Sequence, residues 1–491
     1  MKIVPQTESV SVVRLTDRFD ADHTRVITRP FLPDDEGRIK GIIKRILGMS
    51  EAQVHYLLDQ VISTFGFRHR QVDSAFEEHF DQVAHLLKSE HSISRERKLL
   101  IGSYFTMEYS IESAALFNPS IVPAPDQSGL PHGAVRFIVS LRATGEGHVS
   151  SIVFRTGQID ADGHIEFDPI SRFVQRARLD KERMYHKHTF FLKLIEMGSY
   201  DRVGQKVLDG LNDEFTFAAL EQSIAKVGQT WENQLEFDES AQNIRWLAQS
   251  NYHLAFPLGV RASEVAIFPT SENESRGIED ARFVQFTDDD GSIMYYGTYT
   301  AYNGIRILPQ LLETSNFTEF RINTLNGKYV QNKGMALFPR KINGWHVMIS
   351  RLDGENLYLM RSTNIRFWNK AEILQQPEFH WQFVQIGNCG PPLETEKGWI
   401  LLTHGVGPMR RYCIGVTLLH RNDPSRVIGQ LREPLLVPSE AEREGYVPNV
   451  VYSCGAIIHH DHLIIPYGIS DSATTFARVS VSQLLRKLEG G

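Results

Sequence analysis

From about residue 34 to 100, apolar positions recur at helical spacing. In "LGMSEAQVHYLLDQVISTF" they fall at Val54, Leu57, Leu58, Val61 and Ile62, after a Ser50/Gln53 pair with the spacing of a capping box. A second helical block runs from about 172 to 250 and includes "KHTFFLKLIEMG" and "EFTFAALEQSIAKVGQTW". Elsewhere the period shortens to that of strands. "RFIVSLRA" precedes "VSSIVFRTG", and "RFVQFTDDDGSIMYYGTYTAY" reads as strand, Asp-Gly turn and aromatic strand. The hairpin pattern returns in "MALFPRKINGWHVMISRL", "PPLETEKGWILLTHGVG" and "GAIIHHDHLIIPYGIS".

The turn glycines Gly291, Gly344 and Gly398 are 53 and 54 residues apart, and the last hairpin turns near Asp461, 63 further on. A repeat of this length, with about four strands, is the size of a propeller blade. The four repeats after Gly277 and a fifth at 112–170 predict an all-β five-bladed propeller. It carries an α-helical N-terminal extension (1–105) and an α-helical insertion (172–250) after the first blade (106–171), and the remaining blades occupy 251–491. A two-sheet β-sandwich accounts for the hairpins but not for the near-constant period.

The chain has 491 residues, 42% hydrophobic and 23% charged, which is ordinary globular composition. Its net charge of −7, with both signs interspersed, argues against a nucleic-acid partner. Cys389, Cys413 and Cys454 are far apart and form no CxxC, so neither a disulfide framework nor a zinc site is expected. No apolar run reaches membrane-spanning length, and the opening residues lack a signal-type apolar core. A soluble cytoplasmic protein is expected, with no membrane partner.

The stretch that departs from ordinary patterning is "SRGIEDARFVQF". It places Arg276, Glu279, Asp280 and Arg282 just ahead of the apolar pair Phe283 and Val284. Desolvating ionised groups costs several kcal/mol each unless they are paired. The cluster is therefore either a salt-bridged strand entrance, with Asp280 merely pairing Arg282, or a frame that holds one carboxylate for proton transfer. In the second reading Arg276 and Arg282 supply charge and hydrogen bonds, and Glu279 pairs with one of them.

Several ordered pieces resemble glycoside hydrolase family 130, the β-mannoside phosphorylases and their hydrolase relatives. "FNPSIV" and "VSLRATG" are similar to its first blade, and "GIEDARFV" with "TYTAYNG" to its second. "NKGMALFPRKINGWHVMISR" is similar to the third and "GPPLETEKGWILLTHGV" to the fourth, while "DPSRVIGQLREPLL", "VPNVVYSCG" and "YGISD" complete the set. The resemblance covers roughly 112–170 and 260–480 and leaves the helical blocks out.

It implies a five-bladed propeller with a central pocket and a reaction that inverts the anomeric carbon. Asp280 would be the general acid, passing its proton through the sugar's 3-hydroxyl, while inorganic phosphate attacks as co-substrate. That differs from the usual pair of carboxylates. It further implies sugar contacts for Asn118, Arg142, Arg282, Tyr302 and Asp471. Against these stand plainer readings: a turn role for Asn118 and for Tyr302 with Asn303, and a surface charge for Arg142.

Around the phosphate the resemblance retains Lys333, Arg351 and His404. It departs at Gly334, where an Asn is expected, and at Glu394, where a Lys is expected. A carboxylate in a phosphate pocket would repel the anion. Glu394 therefore either activates water, making the protein an inverting hydrolase, or pairs with Lys333 or Lys397 outside the pocket. A non-catalytic carbohydrate-binding propeller is the reading from a different class.

No cofactor beyond inorganic phosphate is expected. The substrate is an oligosaccharide or mannoside, and the helical segments are candidates for a homo-oligomer interface or a wall of the pocket. "HHDH" (His459 to His462) sits at a hairpin tip where side chains alternate, so exposed histidines are expected rather than a metal site. Trp345, Trp368, Trp381 and Trp399 are expected mostly in the core.

Overall fold

A computed structural model describes residues 10–87, 93–179, 184–304 and 307–489. Most strands fall into five successive antiparallel units. The first contains Ala115–Pro123, Val135–Thr144, Ser150–Ile159 and Ile165–Phe167. The second contains Gly277–Thr287, Ile293–Tyr302, Ile307–Thr314 and Glu319–Thr324. The third runs from Lys333–Leu337 through His346–Arg351 and Leu357–Ser362 to Ala371–Gln375. In the fourth, two short pieces, Gln385–Asn388 and Leu393–Glu394, pair with Trp399–Val406, followed by Tyr412–Leu419 and Val427–Gln430. The fifth starts with Val451–Tyr452 and Ile457–His459 and continues through His462–Ile469 and Ala473–Ser480.

The turn glycines that set the sequence period join the first and second strands of three units. Each has positive φ: Gly291 at 81°, Gly344 at 78° and Gly398 at 149°. A Cβ at Gly398 would lie 2.2 Å from the Leu419 carbonyl, so this turn needs glycine for both torsion and space.

Each unit bonds to the next. Phe283 N donates to Ser120 Oγ (3.0 Å), Thr298 Oγ1 to the Met335 carbonyl, and Asn388 Nδ2 to the Gly334 carbonyl. Tyr412 N donates to Asn449 O at 3.0 Å, and Cys454 N returns to the first unit at Pro119 O, 2.8 Å away. Large apolar residues fill the joints; Trp368, Trp381 and Trp399 are fully buried, whereas Trp345 is half-buried under Lys370.

The N-terminal region differs from the helical expectation for 1–105. Val12–Phe19 is the outermost strand of the fifth unit, paired antiparallel with Ala473–Ser480. Asp22–Pro30 pairs with Thr106–Glu112, which therefore lies outside the first unit despite falling within 106–171. Their helical neighbours hid them, and Val12–Phe19 mixes apolar and polar residues without strict alternation, so the ladder to Ala473–Ser480 defines it.

Between these two strands lie the helices Glu36–Leu47, Glu51–Phe65, Val72–Val83 and Arg95–Tyr104. The Ser50/Gln53 capping box is present in both directions. This block has its own core around Ile43, Val54, Phe80 and Leu100. The insertion likewise packs its four helices, from Lys187–Glu196 to Gln234–Gln249, around Leu194, Val207, Ile224 and Ile244. It returns through Tyr252–Ala255, which adds a strand to the second unit beside Glu319–Thr324. No helix among the described residues is long and apolar enough to cross a membrane.

Candidate active site

The first strands of three units are interrupted at equivalent places. The ladder shifts between Phe117 and Ser120, between Glu279 and Arg282, and between Lys333 and Ala336. At each shift one residue adopts positive φ: Asn118 at 50°, Asp280 at 55° and Gly334 at 81°. A β-bulge adds one residue to one strand and re-aims a side chain, and an L-residue held at positive φ costs about 1–3 kcal/mol. This is how Asp280 leaves the strand alternation and meets Asn118.

Asp280 Oδ1 accepts from Asn118 Nδ2 at 2.5 Å and lies 3.5 Å from Arg142 Nη1. Arg142 Nη2 donates to Glu279 Oε1 at 2.9 Å, and Lys333 Nζ to Glu279 Oε2 at 2.5 Å. Glu279 thus bridges Arg142 and Lys333; neither Arg276 nor Arg282 is its partner. Asn118 directs its amide at the carboxylate rather than closing a local turn, and Arg142 lies over the Phe117 ring at 5.0 Å.

Arg282 is 2% exposed and borders a small cleft together with Thr298, Lys333 and Gly334. It donates to the Asp280 carbonyl at 2.9 Å and to the Tyr452 hydroxyl at 2.5 Å. Both hydrogen bonds brace the bulge that carries Asp280. Tyr452, unremarked within "VPNVVYSCG", is the partner that fixes it. Tyr302 also stands apart: its hydroxyl donates to the Gly304 carbonyl at 3.0 Å.

Burial pushes the Asp280 carboxyl up, but Arg142, Arg282, Lys333 and the Asn118 hydrogen bond outweigh it and leave the group below its ordinary value. Asp471, at φ 53° after the strand His462–Ile469, goes the other way. Burial and the Asp280 charge push it up to about 6, against the opposing pull of Arg142 and Arg410. The folded protein therefore holds this proton more tightly than the unfolded chain. Stability contributed by the protonated form is present at about pH 4 and is lost as pH rises through about 6. Asp471→Asn is accordingly expected to stabilise the protein at pH 7.5 by about 1–3 kcal/mol, with the gain fading towards pH 4. Urea midpoints at the two pH values measure this.

Lys333 and Arg351 are direct ladder partners at the end of the third unit's first hairpin. His404 is buried behind them. Its Nδ1 is 3.1 Å from the Asn388 carbonyl and its Nε2 is 3.3 Å from Arg351 Nη1. Burial, Arg351 and Arg282 hold its pKa well below the ordinary value, so it is neutral. With Nδ1–H donating to Asn388, Nε2 accepts from Arg351. His404 thus presents no charge of its own and orients Arg351.

Glu394 is not brought to this cluster. Arg340 holds it through two hydrogen bonds of 2.6 and 2.9 Å, and Arg421 adds one of 3.0 Å. It pairs with Trp399, while Gly387 pairs with His404 on the same strand. The five-residue offset amounts to about 17 Å at about 3.3 Å per residue. Neither Lys333 nor Lys397 is its partner. The two arginines bring its pKa below the ordinary value, Arg340 most, despite partial burial.

The histidines of "HHDH" lie at the hairpin tip, with His459 and His460 both turned to the Gly133 carbonyl. One acid/histidine group with converging ligand atoms exists among the described residues, Asp160, Asp162 and His164. Its Asp160 Oδ1 already accepts from the Asp162 and His164 amides, forming an ordinary exposed turn.

The family profile described as β-1,4-mannooligosaccharide phosphorylase matches residues 259–489. A 1,2-β-oligomannan phosphorylase of Thermoanaerobacter sp. (strain X514) is 33% identical over 223 residues, 44% of this chain and 72% of that protein. A β-1,2-mannobiose phosphorylase of Listeria innocua is 29% identical over 230 residues, spanning 45% of this chain and 63% of that protein. The solved structure of the β-1,2-mannobiose phosphorylase from Listeria innocua, in complex with β-1,2-mannobiose, is 22% identical. That alignment has a TM-score of 0.44 and covers 77% of this chain and 93% of that one. The matched stretch holds Glu279, Asp280, Arg282, Lys333, Arg351, His404 and Asp471, the residues that build the cluster together with the first unit's Asn118 and Arg142. This chain belongs to glycoside hydrolase family 130.

Proposed function

We propose that the protein is an inverting β-mannoside phosphorylase whose five units close as a five-bladed propeller around the Asp280 cluster. The observation that carries this reading is one juxtaposition. A carboxylate fixed by Asn118 and Arg142 adjoins, through Glu279, a cation pair built by Lys333 and Arg351. Two cations, one a planar guanidinium, suit an inorganic phosphate dianion.

Phosphate held there attacks C1 of the mannosyl residue as the bond from C1 to the leaving oxygen breaks. Asp280 supplies the proton to that oxygen, through the sugar's 3-hydroxyl. Hydrogenphosphate brings one proton, which restores the Asp280 carboxyl after transfer, so the net reaction consumes none.

In the free site Asp280 is ionised, and of the two carboxylates Asp471 holds its proton more tightly, up to about pH 6. Bound phosphate offsets the pull of Lys333 and its neighbours on Asp280, and Asp280 then takes up the proton it delivers. Asn118 keeps its oxygen oriented, and Asp471, partly exposed beside the same cluster, accepts from or donates to a sugar hydroxyl.

The hydrolase reading requires a base carboxylate opposite the acid, and Glu394 is committed to Arg340 and Arg421 instead. Glu394→Gln is expected to leave phosphate-dependent turnover within about threefold, since partly exposed ion pairs contribute only about 0–1 kcal/mol. If Glu394 were the base, its loss would lower kcat by about 10²-fold or more. Steady-state rates with and without phosphate decide between the two.

A further inference from the structure

Away from Asp280, a cavity of about 420 Å³ lies between the helical insertion and the second unit. The insertion contributes the strand Met184–His186, the helix Lys187–Glu196 and the end of Gln234–Gln249; the second unit contributes its outer strands, and Arg366 closes one side. The size falls within the range of small-molecule sites, about 300–1,000 Å³.

Its lining is basic. Lys193, Arg321 and Arg366 border it together with His186 and His253, and none of its described lining residues is a carboxylate. Carboxylates stand behind three of these groups: Glu313 accepts from Arg366 at 2.8 and 3.1 Å, Glu196 is 3.4 Å from Lys193 Nζ, and Glu214 is 3.3 Å from His186 Nδ1. Lys193 is 6% exposed, with a second long contact, 3.3 Å, to the Leu325 carbonyl. Burying an ammonium on two long contacts leaves it under-compensated. Arg321 forms no ion pair among the described residues and is exposed. The lysine and two arginines thus face one space with two carboxylates, Glu196 and Glu313, paired to them. Tyr185, Phe190, Thr189 and Asn326 also line the cavity.

We propose that this cavity is a second ligand site that takes a sugar phosphate, with the phosphate on Arg321, Arg366 and Lys193 and the sugar against Tyr185 and Phe190. Guanidinium forks match phosphate oxygens, and aromatic faces take the apolar face of a pyranose. Thr189 and Asn326 supply hydrogen bonds to hydroxyls. A ligand here ties the insertion to the second unit, and it does so whatever reaction occurs at Asp280.

The test is calorimetric titration of the full chain with mannose 6-phosphate, mannose 1-phosphate and inorganic phosphate. It is repeated on Arg321→Gln, Lys193→Met and, as a variant of the central cluster, Arg351→Gln. Arg321 is exposed, so its variant is expected to fold. The proposal predicts a hexose phosphate event that persists in Arg351→Gln and weakens about tenfold or more in Arg321→Gln. Inorganic phosphate should bind more weakly than either hexose phosphate. Preference between the two hexose phosphates identifies which position of the sugar carries the phosphate. The proposal is overturned if Arg321→Gln and Lys193→Met both bind like the wild type. It is equally overturned if the event vanishes only in Arg351→Gln, or if neither hexose phosphate binds at millimolar concentration. Equal affinity for inorganic phosphate would refute the sugar contacts.

Discussion

Asp280→Asn is expected to lower kcat by about 10²–10⁴-fold while the protein remains folded, because proton delivery by a positioned side chain contributes about that much. The substitution is nearly isosteric. Its carboxamide oxygen still accepts from Asn118, and Asn tolerates the φ of 55° that the bulge imposes. Arg142 and Lys333 keep Glu279 as their counter-charge. What is lost is the group able to carry a proton. The expected signature is therefore a fallen kcat with sugar binding and urea midpoint close to the wild type. A variant that retained turnover within about threefold would place the proton donor elsewhere, and Asp471, pushed up to about 6, would be the group to examine.

Glu112→Gln is expected to have the largest effect on stability, about 3–5 kcal/mol, because it breaks a buried charge network from its centre. Glu112 is fully buried. It accepts from Arg25 Nε at 2.8 Å and from Arg155 Nη2 at 2.7 Å, and both arginines are themselves at most 2% exposed. Gln supplies no charge, so two buried guanidiniums are left without this anion. The position is also an anchor. Arg25 further donates to the Ser171 and Ser263 carbonyls, which lie on either side of the insertion in sequence. One network therefore ties the N-terminal strand Asp22–Pro30 to both ends of the insertion. Urea unfolding monitors the loss, and kcat per folded molecule is expected to stay near the wild type, since no member touches the Asp280 cluster. A midpoint shift below about 1 kcal/mol would mean that water or Asp22 compensates the arginines.

The sequence was most informative where periodicity is local. The hairpins announced themselves through Gly291, Gly344 and Gly398, and the helical blocks through apolar spacing and the Ser50 cap. Val12–Phe19 was not legible, because its partner Ala473–Ser480 is more than 450 residues away and its own apolar and polar residues do not alternate strictly. In the candidate site, the Glu-Asp-Ala-Arg stretch marked the acid, but its wiring depended on contacts between units. Glu279 bridging Arg142 to Lys333, Arg282 reaching Tyr452, and His404 turned to Asn388 each join residues 16 to 170 positions apart. The bulge that turns Asp280 has no sequence signature, since neither Asp280 nor Ala281 is a glycine or proline. Glu394 misled because its type, beside the strand that carries His404, is compatible with a base; only the ladder shows the five-residue offset. The cavity beside the insertion was invisible for the same reason: Lys193, Arg321 and Arg366 lie on a helix, a strand and a loop far apart in sequence.

The most direct test of the proposed reaction is product analysis with β-1,2- and β-1,4-mannobiose, with and without inorganic phosphate. The account predicts mannose 1-phosphate and mannose in equal amounts, formed only when phosphate is present. Free mannose released as the sole product, at a rate indifferent to phosphate, would contradict it.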